Sequence, residues 1–159
     1  MKEQKTNVMR ILEQRKIPYE PRHYPHGDEA VDGLTVAQSL GQDPETVFKT
    51  LVARGASGKY YVFVIPVVGE LDLKKAARAV GEKSVAMIAV KELLPLTGYV
   101  RGGCSPVGMK KLFPTVFHRS ALNHESIAVS AGKIGDQVVV SPEELCKLVR
   151  GNCEDLLMT

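Results

Sequence analysis

The stretch Val47–Val68, VFKTLVARGASGKYYVFVIPVV, contains two β-rich runs on either side of a glycine-bearing segment, Gly55–Gly58. Runs rich in Val, Tyr, Phe and Ile that flank a short turn are typical of a β-hairpin. The stretch therefore predicts two adjacent antiparallel strands, and the rest of the fold is expected to assemble around them.

One residue of the first strand departs from its apolar pattern. Side chains alternate along a strand, so Lys49 faces the same way as the apolar residues Val47, Leu51 and Ala53. Burying an unpaired ammonium group costs several kcal/mol, roughly, unless it meets an anion, a cleft or a neutral state. Lys49 therefore either leaves through the edge of the strand or faces something that needs a cation.

Helical patterns flank the hairpin on both sides. The expected helices are an opening helix that ends near Lys16, a helix in LTVAQSLGQDPE capped by Thr35 and ended by Gly41, one with Asp72 as cap and Gly81 just past its end, one in VKELLP that ends before Pro95, and one capped by Ser141 with Pro142 first and Gly151 past its end.

Short β-rich runs alternate with these helices. They are YEPRHY, which Pro21 places at a sheet edge, then SVAMIA, TVFH, and the pair SIAVSA and QVVVS joined by a turn at Lys133–Asp136. Because hairpins are antiparallel while strands and helices interleave, we expect an α+β domain with a mixed sheet.

The composition is that of a globular protein. The 159 residues are 44% hydrophobic and 25% charged, with a formal net charge of +3 that permits a nucleic-acid partner without arguing for one. The length suits one domain over residues 1–159. Three cysteines without metal-site spacing favour a reducing, cytoplasmic location and no bound metal. We also expect no export signal, no membrane span and no cofactor.

The loop GGCSPVGMKK has the glycine spacing of a phosphate-binding loop at Gly103 and Gly108, but Met109 occupies the position of that motif's lysine. Adjacent glycines still offer bare N–H groups to a carbonyl oxygen or phosphate, or simply form a tight turn. A nucleophilic role for Cys104 would need a nearby base, which the sequence does not identify.

Taken together, these motifs resemble those of the YbaK/EbsC family of cysteinyl-tRNA(Pro) deacylases, which are related to the editing domain of bacterial prolyl-tRNA synthetases. The matching segments occur in order and cover almost the whole chain: KTNVMRILEQRKIPY, FKTLV, LDLKKAA, TGYVRGGCSPVGMKK and SAGKIG. The resemblance implies a mixed, largely antiparallel, β-barrel-like sheet flanked by helices.

The resemblance also implies a set of site residues. Lys49 would face the 3′-terminal nucleotide and the aminoacyl ester, with Thr50 beside it. Gly102 and Gly103 would hold the ester carbonyl through their N–H groups. Tyr24 and Ser130 would line the same pocket.

The implied activity is trans-editing: removal of cysteine from mischarged Cys-tRNA(Pro), with the substrate's own thiol attacking its ester. The 3′ end of tRNA(Pro) is the expected partner, and the mild basicity of the chain leaves room for docking on prolyl-tRNA synthetase. The alternative is a non-catalytic aminoacyl-tRNA or small-molecule binding or regulatory module of the same fold.

Overall fold

The computed structural model describes residues 5–159. Within that range the helices are α1 (Asn7–Gln14), α2 (Gly33–Ser39), α3 (Leu73–Val80), α4 (Val90–Thr97) and α5 (Pro142–Leu148). The strands are β1 (Tyr19–His23), β2 (Phe48–Gly55), β3 (Tyr60–Pro66), β4 (Val85–Met87), β5 (Thr115–His118), β6 (Ile127–Ser130), β7 (Asp136–Val140) and β8 (Asn152–Glu154). Short 3-10 helices cover Pro44–Thr46 and Arg119–Asn123.

The strands form two sheets. One has the order β1-β7-β6 and is antiparallel throughout. The other has the order β4-β2-β3-β5-β8, in which β2 pairs antiparallel with β3 and β4, whereas β3–β5 and β5–β8 are parallel. The α+β class, the mixed sheet and the β2–β3 hairpin are as the sequence predicts.

The expected barrel-like closure is wrong. Strands β1 and β6 are the edges of the smaller sheet, and β4 and β8 are those of the larger one. The two sheets meet at an isolated parallel bridge between Val47 and Ala128. We call this junction the seam; one bridge joins the sheets without closing a continuous ladder.

Strand β2 has apolar contacts on both of its faces. Phe48 and Val52 belong to the larger core cluster, beneath α1 and the smaller sheet, while Ala53 belongs to a second cluster with α3. Alternation places Lys49 on the face of Ala53 and Thr50 on the face of Phe48. Burial of both faces makes the hairpin the centre of the larger sheet.

Several helix ends follow the predicted capping chemistry. The Asp72 carboxylate accepts from Lys74 N and Lys75 N, Gly81 has φ 74°, and the Ser141 side chain accepts from Glu144 N. Helix α2 differs, because its cap is Asp32 and Thr35 supplies the N–H that Asp32 accepts.

Two other helix ends differ from the sequence-based expectation. Helix α4 continues through Pro95 to Thr97 and ends at Gly98, which has φ 87°. After α5 the left-handed residue is Arg150, with φ 55°, rather than Gly151. No helix within residues 5–159 has the length and apolar character needed to cross a membrane.

Candidate functional site

A small cavity of about 120 Å³ lies beside the seam, where the first residues of β2 approach the smaller sheet. It brings together the predicted residues Tyr24, Lys49, Thr50, Gly102 and Ser130. The remaining wall is largely apolar and includes Val31, Val36, Val47, Phe48 and Val67. Pockets for drug-sized ligands measure about 300–1,000 Å³, so this cavity suits a small side chain.

Lys49 lies on the cavity wall and is half-buried. Within the described part of the chain its ammonium group forms no ion pair within 4.0 Å and no hydrogen bond. The strand position opposite it on β3 is Ile65, which offers no charge. Lys49 therefore lies at a cleft, and the residues described there offer its ammonium group no anion.

Thr50 carries a second polar group without a partner. Its Oγ1 atom is buried and forms no hydrogen bond to any described residue. A buried hydroxyl without a partner costs about 1–3 kcal/mol, and such groups in native proteins call for an explanation. A ligand atom in the adjoining cavity would supply the missing bond.

Gly102 approaches another segment too closely for any side chain. Its φ is 86°, and a Cβ built on it would lie 2.6 Å from the Cβ of Ala30. The hydrogen bonds of residues 5–159 include no acceptor for the Gly102 N–H. Gly102 is therefore suited to donate to a bound carbonyl oxygen.

Gly103 differs from the sequence-based expectation. Its N–H donates to Val100 O over 3.0 Å, so that group is already used in a turn. Gly103 lies beside the cavity rather than on its wall, and a Cβ there would meet the backbone of Lys133 and Ile134 at 3.1–3.2 Å. Its contacts fit a residue that packs two loops together.

Tyr24 and Ser130 are held by backbone contacts of the β6–β7 turn. Tyr24 N donates to Gly135 O over 2.9 Å, and its ring contacts His26 edge to face. Ser130 Oγ accepts from Gly132 N over 3.1 Å. Because that bond uses a lone pair, the hydroxyl hydrogen of Ser130 is left to donate to a ligand.

Cys104 also lines the cavity, and it is 7% exposed. Burial raises the pKa of its thiol to about 12, against a smaller opposing effect of a hydrogen bond with Thr97. A thiol with that pKa is protonated at neutral pH and is a poor nucleophile.

Sequence reasoning missed Gln137, a polar residue on the cavity wall. Gln137 is buried, lies opposite Ser130 across the β6–β7 pair, and accepts from Gln42 Nε2 over 2.9 Å. Gln137 stands in no motif with a chemical signature, but a polar residue within the apolar run of β7 was a usable signal.

Comparison with known proteins identifies a family and a relative of this chain. A family model described as "Aminoacyl-tRNA editing domain" matches residues 29–148. A protein of Enterococcus faecalis, described as a candidate Cys-tRNA(Pro)/Cys-tRNA(Cys) deacylase and called EbsC, is 45% identical over 154 residues, which are 97% of this chain and 94% of that protein.

Two solved structures share the fold. A candidate trans-editing enzyme for prolyl tRNA synthetase is 26% identical with a TM-score of 0.82, and the match covers 96% of this chain and 95% of that one. The hypothetical protein APE2540 is 22% identical with a TM-score of 0.85, over 95% of this chain and 99% of that one. The second likeness shows the fold alone.

Proposed function

The chain belongs to the aminoacyl-tRNA editing domain family, and from this we propose that it is a trans-editing deacylase that removes cysteine from mischarged Cys-tRNA(Pro). The proposal takes residues 1–159 as one editing domain acting in the cytoplasm. The observation that carries it is one small cavity lined by both Lys49, which has no ion-pair partner among residues 5–159, and Thr50, whose buried hydroxyl has no hydrogen-bond partner in that range.

The cavity volume supports a small aminoacyl group as substrate. Cysteine is small enough to enter a proline site, and size alone discriminates weakly between similar amino acids, so correction after charging is useful. A wall rich in valine accepts a compact, weakly polar side chain. The relative's description as a deacylase of cysteinyl-tRNA agrees with that size.

In the proposed reaction the substrate's thiol sulfur bonds to its own ester carbonyl carbon. The bond from that carbon to the ribose oxygen of the tRNA breaks, and the thiol hydrogen ends on the released ribose hydroxyl. The products are a cyclic thioester and free tRNA, and water later opens the thioester. The high pKa of Cys104 supports a mechanism in which the protein supplies no sulfur.

Each proposed site residue has one role in this scheme. The Gly102 N–H donates to the carbonyl oxygen as negative charge develops on it. Lys49 faces the phosphate and ribose of the terminal nucleotide and stabilises the departing oxygen. Thr50 and Ser130 hydrogen-bond the bound aminoacyl nucleotide, Tyr24 closes the wall, and Gly103 holds the glycine loop in place.

The experiment compares the ester half-lives of Cys-, Ser-, Ala- and Pro-tRNA(Pro) with and without the protein. We expect rapid loss of the cysteine ester only, because a hydroxyl at pH 7 is a far poorer nucleophile than a thiol. Ser-tRNA(Pro) should compete for the site and survive in it. Equal half-lives with and without protein would leave a binding module, and rapid loss of the serine or alanine ester would make water the nucleophile.

Cys104→Ser tests the source of the sulfur. We expect a deacylation rate within a few-fold of the wild-type rate, whereas an aminoacyl adduct trapped on Cys104 would contradict the scheme.

Prolyl-tRNA synthetase is a proposed docking partner. We expect the two proteins to co-elute when tRNA(Pro) is present and to elute separately when it is absent.

A further inference from the structure

A second concavity lies at the opposite end of the larger sheet from the cavity. It measures about 790 Å³ and is bounded by the starts of the parallel strands β3, β5 and β8 and by the end of α3. We call it the basic groove and define it by Lys59, Tyr60, Lys111, Phe113 and Arg150, which are among its lining residues.

Among the described residues that line the basic groove, every charged one is a cation. These are Lys59, Lys111 and Arg150, and none of the described lining residues is Asp or Glu. The three are exposed, and none forms an ion pair within 4.0 Å with a residue of the described range 5–159. They come from a hairpin turn, a loop and a helix end, so only the fold brings them together.

Aromatic rings accompany these cations. The rings of Tyr60 and Phe113 meet edge to face with centroids 5.9 Å apart, and Lys111 Nζ lies 5.9 Å from the Phe113 centroid. Tyr60 is half-buried, so part of its ring remains open to the groove. Cations that neutralise phosphates, set beside an aromatic surface on which a base can stack, are the usual means of binding RNA without reading its sequence.

The basic groove lies at a distance that an RNA substrate can span. The part of β2 from Lys49 to Gly55 spans about 20 Å at about 3.3 Å per residue. Gly55 N donates to Lys59 O across the hairpin. A nucleic acid with its 3′ end at Lys49 would reach Lys59 within about six stacked nucleotides at about 3.4 Å each.

We propose that the basic groove binds the phosphate backbone of the substrate tRNA a few nucleotides away from its aminoacylated end. The proposal rests on the proposed function for the identity of the RNA. It gives the chain its own affinity for tRNA, which the net charge of +3 alone would not indicate.

The test uses a triple variant, Lys59→Ala, Lys111→Ala and Arg150→Gly. Its matched control is Arg10→Ala, Lys74→Ala and Lys16→Gly, which removes three exposed cations outside the groove. Lys16→Gly is the counterpart of Arg150→Gly because both residues have a positive φ, 59° and 55°, which glycine adopts without strain. Binding of uncharged tRNA(Pro) is measured from low to moderate salt, so the readout does not depend on catalysis.

We expect the groove variant to bind tRNA(Pro) at least tenfold more weakly than wild type, with the slope of log affinity against log salt reduced by about two to three. The control variant should stay within about twofold. Cleavage of a cysteine ester on a short 3′-terminal oligonucleotide should be the same in all three proteins, because that substrate does not reach the groove.

If tRNA(Pro) binding weakened equally in the groove variant and the control variant, the effect would come from the total charge of the protein, and the proposal would be overturned. Unchanged tRNA binding in the groove variant would also overturn it, and loss of prolyl-tRNA synthetase binding alone would assign the groove to a protein. If the wild-type protein bound tRNA(Pro) through the basic groove but cleaved no ester, the proposed role of the groove would be supported and the proposed function refuted.

Discussion

At the scale of single residues, a position at a cleft was one of two outcomes that the sequence predicts for Lys49, whereas the missing partner of Thr50 was not predictable. A cation within an apolar run conflicts with its own surroundings, and that conflict is visible in the sequence. A missing hydrogen bond is visible only after every neighbour is in place, because Thr50 in a β-strand is an ordinary residue. The hydrogen bond from Gly103 N to Val100 O was not predictable for the same reason.

Lys49→Met should abolish most of the activity and leave the fold intact. The apolar stem is kept while the charge is lost, and removal of one electrostatic contact to a transition state costs roughly 100-fold or more in rate. Single-turnover deacylation and thermal unfolding measure the two effects. A sharp fall in the unfolding temperature, with activity following the folded fraction, would make Lys49 a structural residue.

Thr50→Val should change stability and activity in opposite directions. Valine has nearly the shape of threonine and removes the buried Oγ1 that lacks a partner, so the free energy of unfolding should stay the same or rise by up to about 1 kcal/mol. The rate should fall, because the bond to the substrate is lost. Thr50→Ser, which keeps the hydroxyl, is the control, and a stability loss in Thr50→Val without a rate loss would contradict this account.

At the scale of elements, helices with a strong capping signal were predictable and their interruptions were not. Pro95 was expected to end a helix, yet α4 continues past it. Pro95 and Lys91 are both exposed, so water can reach the carbonyl that loses its donor, and the Thr97 hydroxyl donates to Leu93 O over 2.7 Å. The three-residue strand β8 escaped prediction because NCE has neither the length nor the composition of a strand.

Arg150→Gly alone should stabilise the protein. Arg150 has φ 55° after α5, a conformation that costs a residue with a side chain about 1 kcal/mol and costs glycine almost nothing. We expect a gain of about 0.5–1 kcal/mol, or about 1–4 °C in unfolding temperature for a domain of this size. Lys16→Gly, at φ 59°, should behave alike. A lower unfolding temperature for Arg150→Gly would show that the guanidinium supports the fold.

At the scale of the whole molecule, the α+β class and the hairpin were predictable, but the division into two sheets was not. Alternation and turn residues report neighbouring strands, whereas closure depends on which distant edges meet. Residues 24, 49, 102, 130 and 137 reach one cavity because β2 and the smaller sheet join at the seam. The family resemblance anticipated that convergence, which spacing alone cannot supply.

Stability should fall as the pH drops below about 6.5, through His118. This side chain is 7% exposed, and its Nδ1 accepts from Leu156 N over 3.1 Å, which ties the end of β5 to the C-terminal segment. Burial lowers the pKa of His118, with Arg119 and Lys75 acting in the same direction and Asp155 opposing them. The unfolded chain therefore binds the proton first, so the stabilisation is present above the unfolded pKa and declines as pH falls through it.

Chemical denaturation between pH 7.5 and 5 measures this dependence, with His118→Gln as the variant and His124→Gln as its control. His118→Gln should be less stable at pH 7.5 and should show a weaker decline toward pH 5. An unchanged pH dependence in His118→Gln, or an equal change in the His124 variant, would exclude His118 as the responsible group.

The seam has a further consequence for how the protein comes apart. Tyr24, Ser130 and Gln137 belong to the smaller sheet and its flanking loop, whereas Lys49 and Thr50 belong to the larger one. The sheets share the larger core cluster, but within residues 5–159 one isolated β-bridge is the backbone pairing between them. Sub-global opening of the three-stranded sheet would therefore scatter the site while the larger sheet kept its hydrogen-bonded ladder. Editing activity should be lost at a lower urea concentration than the far-UV circular dichroism signal. Enzymatic activity would then report the integrity of the seam rather than that of the whole fold.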